Sequence, residues 1–216
     1  MIIQNRRRAM GKKKEPNYVQ DGLIFWLDGK DIGANDGFWT DLVGGRMFNI
    51  PSGVTHDGNG FVFASGHGDM LADDYVDWNY ATCHLEVCVS GFTKNSGALL
   101  LYDDRKNVGL ALGNLGNYLV YGHTNKSDRN AFNFDDASST ISVNSIGAWQ
   151  NGEVCTKPAS YSYWYGGGKG IGLGSSGTGG RIYTGTVYSV RVYNRHLSEA
   201  EVLANYAVDA ERFNIT

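Results

Sequence analysis

The sequence predicts an all-β fold, a two-sheet antiparallel jelly-roll sandwich with one short C-terminal helix. Three observations lead there. The 216 residues include 30 Gly but only 3 Pro, with 13 Tyr and 5 Trp, and this mix of permissive turns and strand-favouring aromatics argues against a helical bundle. From Tyr18 onward, short apolar runs alternate with Gly, Asn and Asp at roughly ten-residue spacing, which suits a sandwich and not a parallel βα sheet. One stretch, near the end, places apolar residues at helix spacing behind a cap. The length fits one large domain or two small ones, and no window approaches the roughly 18 consecutive apolar residues that a transmembrane helix needs.

Residues 1–17 have no periodicity and read as a basic, flexible arm, with the domain running from 18 to 216. Arg6, Arg7, Arg8, Lys12, Lys13 and Lys14 give the arm six positive charges and no acid falls among its first fourteen residues, whereas the remaining 13 bases and 22 acids leave the body at −9. Such an arm either stays solvated or docks on a partner or a neighbouring subunit. It could touch phosphates non-specifically, but the acidic body opposes a broad nucleic-acid surface.

Expected strands follow in order at 23–27, 61–64, 85–89, 99–102, 108–112, 118–121, 141–143, 148–150, 154–155, 171–173 and 187–193. In the third, Leu85, Val87 and Val89 point one way while His84, Glu86 and Cys88 point the other, so one face is core. Asn151-Gly152 sits between two strand segments and supplies the two positive φ angles of a type I′ hairpin. In the final segment Ser198 is the N-cap and Glu201 its reciprocal partner, with Leu197 and Val202 as a hydrophobic staple. Leu203, Tyr206 and Ala207 extend the stripe, so a helix is expected over about 199–210. Cys83 and Cys88, five apart on one strand, face opposite sides, and with Cys155 they form neither a disulfide framework nor a zinc motif. The N-terminus lacks the apolar core of a secretory signal, so the chain is expected in a reducing cytoplasm or released by lysis.

The run from Gly185 to Ser198, reading Gly-Thr-Val-Tyr-Ser-Val-Arg-Val-Tyr-Asn-Arg-His-Leu-Ser, resembles the closing strand and helix start of laminin-G-like, concanavalin A-like jelly rolls. Gly22 to Gly29 resembles their opening strand, Trp39-Thr40-Asp41-Leu42 follows it, and Trp149-Gln150-Asn151-Gly152 matches a hairpin of the family. The anchors span residues 20–213. An Arg-rich leader running directly into one such domain is also similar to structural proteins of bacteriophages and prophages of gut bacteria. The resemblance implies the fold, while this fold hosts glycan binding, hydrolysis, adhesion and structural roles alike.

Signs of chemistry are few. Glucanases of this fold place two Glu side chains on one strand face as nucleophile and acid, but the chain has only six Glu, and Glu86, the one in mid-strand, has no second acid at i+2 or i+4. His84 and Glu86 could act as base and orienter, yet a solvent-facing polar strand edge accounts for them more simply. No Gly-x-Ser-x-Gly occurs, and the glycine-rich stretches 166–170 and 174–180 read as loops. No cofactor is indicated. Laminin-G-like domains sometimes hold Ca²⁺ at a rim, and Asp28, Asp31, Asp36, Asp103, Asp104, Asp135 and Asp136 are the candidates, but none matches a loop signature and solvated turns explain them. The cluster from Tyr161 to Tyr165 is the strongest recognition feature: Tyr161, Tyr163 and Tyr165 share one face of an extended segment and could stack on sugar rings or fill a partner's pocket.

These readings imply a non-enzymatic phage virion protein of head or tail, a fibre or decoration component. It is fastened to other virion proteins by its arm, with host surface polysaccharide as a candidate ligand and no membrane contact. The alternative is a bacterial carbohydrate-binding module, at the cell surface or secreted if an export signal was removed. A glycan hydrolase is disfavoured by the missing acid pair. Homo-oligomerisation stays open, since no heptad fixes a subunit number.

Overall fold

The computed structural model describes residues 16–33, 37–65, 70–72, 76, 78–91, 98–103, 108–112, 118–123, 129–134, 138–157, 171–174 and 183–216. In chain order the strands are β1 (Leu23–Asp28), β2 (Phe38–Thr40), β3 (Met47–Asn49), β4 (Val54–His56), β5 (Phe61–Phe63), β6 (Met70–Ala72), β7 (His84–Ser90) and β8 (Ala98–Asp103). They continue as β9 (Val108–Leu112), β10 (Tyr118–His123), β11 (Arg129–Asn133), β12 (Ser139–Val143), β13 (Ala148–Gln150), β14 (Glu153–Val154), β15 (Ile171–Leu173) and β16 (Gly185–Tyr193), before helix α1 (Glu199–Phe213).

Two antiparallel sheets result. One runs β14-β13-β12-β7-β16-β5-β4, with β1 also paired to β16; the other runs β11-β10-β9-β8-β15-β6, and β2 with β3 forms a separate ribbon. The all-β sandwich with one C-terminal helix is thus the architecture the sequence predicts. All eleven expected strands are present with ends shifted by a residue or two, and β2, β3, β4, β6 and β11 are additional. They were missed because segments of three to five residues carry too few alternations to register as a period.

Between the sheets lies an apolar core. Phe25, Leu27, Leu85, Val87, Val89, Ile141, Val143, Val190 and Val192 from the first sheet meet Met70, Leu110, Tyr121, Phe132 and Leu173 from the second. Trp39 and Phe48, paired across the β2–β3 ribbon, turn inward to the same core.

The other face of the first sheet is polar, and here the structure corrects the sequence reading. His84 and Glu86 do point away from the sandwich core, but they are fully buried: α1 covers Glu86 through Asn205, while Leu197 and the Trp149 ring lie against His84. One cross-strand row reads Trp149, Ser142, Glu86, Arg191 and Trp26, and the next reads Thr140, Cys88, Ser189 and Asp28. Side chains in register share a face, so the helix closes over a buried polar layer.

At its centre Arg191, 0% exposed, donates from Nε to Glu86 Oε2 (3.0 Å) and from Nη2 to Asp209 Oδ2 (2.6 Å). Its Nη1 reaches Ser189 Oγ (2.9 Å) and Asp209 Oδ1 (3.0 Å), and its guanidinium lies 4.0 Å over the Tyr18 ring. Tyr18 donates its hydroxyl to Asp209 Oδ1 (2.6 Å) and Thr140 to Asp209 Oδ2 (3.0 Å), while Asn205 donates to Glu86 Oε2 (2.7 Å). Burial alone would pull the Arg191 pKa down, but Asp209 and then Glu86 hold it well above its ordinary value. Burial pushes the Glu86 carboxyl up against the pull of Arg191.

Helix α1 opens on the expected capping box: Ser198 N–H donates to Glu201 Oε2 (2.8 Å) and Ser198 Oγ accepts from Glu201 N–H. Arg195 pairs with Glu201 at the same point, and this pair together with the Ser198 backbone holds the Glu201 carboxyl at about 2. The helix runs to Phe213 instead of about 210 and ends on Asn214 in the left-handed region (φ 56°). Its buried stripe is Val202, Asn205, Asp209 and Phe213, so the expected apolar extension through Leu203, Tyr206 and Ala207 is displaced by one row. Leu203 and Ala207 are exposed and Tyr206 is half-buried, because the polar Asn205 and Asp209 take the inward positions. Cys83 lies in the sandwich core and Cys88 under the helix, on opposite faces as the five-residue spacing requires.

Two expectations follow. Arg191→Met strands two buried carboxylates, and urea unfolding should show a loss of about 3–5 kcal/mol, with less than additive losses when Asp209→Leu is combined with it. For His84, burial lowers the ring's pKa to about 3, whereas the unfolded chain titrates near 6.5. Between those values the unfolded state binds a proton that the folded state refuses, so this contribution to stability is present above pH 6.5 and is lost as pH falls towards 3. Unfolding free energies measured from pH 7 to pH 4 should decline more steeply for the wild type than for His84→Gln, the difference approaching about 1.4 kcal/mol per pH unit.

Candidate binding groove beside the last helix

The residues that sequence reasoning weighed for catalysis come together in a way that closes them to substrate. Glu86 does acquire an acidic neighbour, Asp209 of α1, but Arg191 bridges the two and all three are buried. His84 and Glu86 are joined through Ser142. His84 Nδ1 accepts the Leu197 backbone N–H (3.2 Å), so the proton of this neutral ring resides on Nε2, which donates to Ser142 Oγ (2.5 Å). Ser142 in turn donates to Glu86 Oε1 (3.1 Å). A nucleophilic serine must donate to its histidine, and this chain of donors runs the other way. Its chemistry is structural.

Asp28 is likewise no solvated turn. It is buried, accepts two bonds from Arg212 Nη2 (2.8 and 2.6 Å), and takes the Lys30 backbone N–H (2.8 Å). Asp31 is exposed and Asp103 ends β8, whereas Asp36, Asp104, Asp135 and Asp136 lie outside the described residues. Among the described residues no three His, Cys, Asp or Glu gather to hold a metal. Tyr161, Tyr163 and Tyr165 lie outside the described residues too, as do Arg6, Arg7, Arg8, Lys12, Lys13, Lys14 and both glycine-rich stretches apart from Gly174.

A groove of about 910 Å³ opens between the β13–β14 hairpin, the end of β11 and α1. The hairpin positions one wall. Asn151 (φ 53°) and Gly152 (φ 80°) form the tight turn foreseen from their sequence, and Asn151 Oδ1 accepts the Thr140 backbone N–H (2.9 Å), anchoring the turn to β12. A side chain at Gly152 would meet Leu203 Cδ1 at 2.8 Å, so the turn needs glycine both for its φ and for the close approach of the helix.

The helix contributes the other wall through the half-buried Tyr206 and the exposed Leu203. Asn133 extends from the end of β11, with Nδ2 donating to Thr156 Oγ1 (2.7 Å), which leaves Asn133 Oδ1 and Asn151 Nδ2 as an acceptor and a donor for a ligand. Val154 (64% exposed) and Leu203 (55%) add apolar surface at the rim. An aromatic side face with amides beside it combines flat apolar contact with directional hydrogen bonding, as small-ligand sites require. Only the turn was legible beforehand; the groove joins segments around 133, 150–156 and 203–206, and no local pattern in the sequence links them.

No protein-family model matches the chain, and no curated protein matches it in sequence. Solved structures do match in fold. Trypanosoma rangeli sialidase in complex with sialic acid superposes with a TM-score of 0.56 at 16% identity, over 88% of this chain and 33% of the sialidase. The binding domain of botulinum neurotoxin serotype D/C gives 0.56 at 14% identity, over 86% of this chain and 52% of that one. That of Paraclostridial Mosquitocidal Protein 1 gives 0.54 at 14%, over 88% and 52%. This chain therefore spans about a third of the sialidase and about half of each toxin binding domain. Likeness at such identity establishes the fold alone, a two-sheet antiparallel β-sandwich.

Replacing Gly152 by Ala should lower the unfolding free energy by about 1–2 kcal/mol, the cost of a Cβ in the left-handed region, as measured by urea titration.

Proposed function

We propose that this chain is a non-enzymatic carbohydrate-binding domain displayed on a phage virion, with the groove beside α1 as its glycan site. The observation that carries the reading is the half-buried Tyr206 ring set among the Asn133 and Asn151 amides. A pyranose presents a C–H face that packs on an aromatic ring and hydroxyls that exchange hydrogen bonds with amides, and the groove offers both. A volume of about 910 Å³ accommodates a short oligosaccharide. Support also comes from the company the fold keeps, a sialidase captured with sialic acid and two toxin binding domains. The burial of Glu86 and Asp209 against Arg191 favours binding without hydrolysis.

Display on a virion rests on the layout of the sequence. An Arg-rich leader runs straight into the domain, as in phage structural proteins, and Arg6, Arg7, Arg8, Lys12, Lys13 and Lys14 would fasten it to an acidic surface of another virion protein. A bacterial carbohydrate-binding module would use the same groove, and a genomic neighbourhood of capsid, portal or tail genes distinguishes the two.

The glycan site is tested by retention on immobilised host-cell polysaccharide. Tyr206→Ala should weaken binding roughly twofold to tenfold, the worth of one ring stack, and Asn133→Ala, at an exposed position, should weaken it without lowering the melting temperature. Unchanged retention in both variants would remove the groove from consideration.

A further inference from the structure

We infer that the groove selects neutral glycans and turns away acidic ones, an inference that rests on the carbohydrate reading of the groove. Among its described lining residues Glu153, on the exposed edge strand β14, is the only charged side chain. Among the described residues, four arginines that could receive an acidic sugar are engaged elsewhere. Arg191 is enclosed by Glu86 and Asp209, Arg212 is bonded to Asp28, Arg195 to Glu201 and Asp21, and Arg46 to Asp41. Lys157, close in sequence to the lining residue Thr156, is held over the Phe132 ring at 5.5 Å from its centroid.

A sialic or uronic acid in the groove would therefore bring its carboxylate towards Glu153 with no cation among the described lining residues to compensate. Like charges brought together at a binding surface oppose association. The surplus of acids over bases in the body, −9 beyond the first fourteen residues, adds a repulsive field of longer range. Neutral sugars meet neither penalty. Their hydroxyls are matched by Asn133 Oδ1, Asn151 Nδ2 and the Glu153 carboxylate, a good acceptor for a hydroxyl donor.

The experiment compares matched pairs that differ in one acidic group: lactose with 3′-sialyllactose, and dextran with carboxymethyl-dextran, each titrated against the full chain at low and at physiological salt. The neutral member is expected to bind at least threefold more tightly at low salt, with the ratio shrinking as the Debye length falls. Glu153→Lys should push the ratio below one, and its thermal unfolding should stay close to that of the wild type. Equal affinity within the pairs, or a ratio that Glu153→Lys leaves unmoved, overturns the selectivity while binding that still depends on Tyr206 preserves the glycan site. Binding that ignores Tyr206→Ala, or no binding of either member of both pairs, overturns the glycan site itself and the selectivity with it.

Discussion

A guanidinium buried between a sheet and a helix is the constraint on which the rest of this structure depends. Arg191 is fully buried, so the fold must supply its partners: Glu86 from the neighbouring strand, Asp209 from the helix and the Tyr18 ring from the segment before β1. An apolar interface of the same size would bind the helix without fixing its rotation. Two carboxylates at defined places fix it, because a helix turned by one residue would leave Asp209 without its cation and Arg191 without one of its anions. With Asn205 and Asp209 locked inward one turn apart, Leu203 and Tyr206 must face sideways towards the hairpin. The groove is in this sense a by-product of the ion pair.

What the sequence could and could not disclose follows the range over which each feature is encoded. The Asn151-Gly152 turn and the Ser198–Glu201 capping box were legible because a few adjacent residues specify them completely. Alternation in β7 correctly separated Leu85, Val87 and Val89 from His84, Glu86 and Cys88. It misplaced the second set in water because a polar residue in a pattern carries no mark to show whether a helix will cover it. The same ambiguity displaced the buried stripe of α1: Asn205 and Asp209 look solvent-facing until Arg191 and Glu86 are set beneath them. Arg191 stands in plain view within the segment that resembles laminin-G-like domains, but nothing local reveals its partners. Asp28 hid for the same reason, its cation being Arg212 at the far end of the chain.

The functional reading has a similar division. The two-sheet sandwich is shared with proteins as different as a sialidase and toxin binding domains, so the architecture narrows the role little. Discrimination comes from which polar groups are enclosed and which are left accessible. Among the described residues Glu86, Asp209 and His84 are enclosed, while the groove beside α1 is lined by amides, the Tyr206 ring and the Glu153 carboxylate.

The span of the buried network also governs when the chain can become a finished object. Tyr18 and Asp209, joined by one hydrogen bond, are 191 residues apart, and Glu86 meets Asn205 across 119. During synthesis the first sheet therefore has its polar outer face unroofed, and Arg191 lacks half of its counter-charge, until the α1 segment has been made. Contacts of such separation form late and slow the search for the native state. Closure of this layer therefore waits on residue 209, and a chain lacking the α1 segment would leave Arg191, Glu86 and Ser189 open on the outer face of the first sheet.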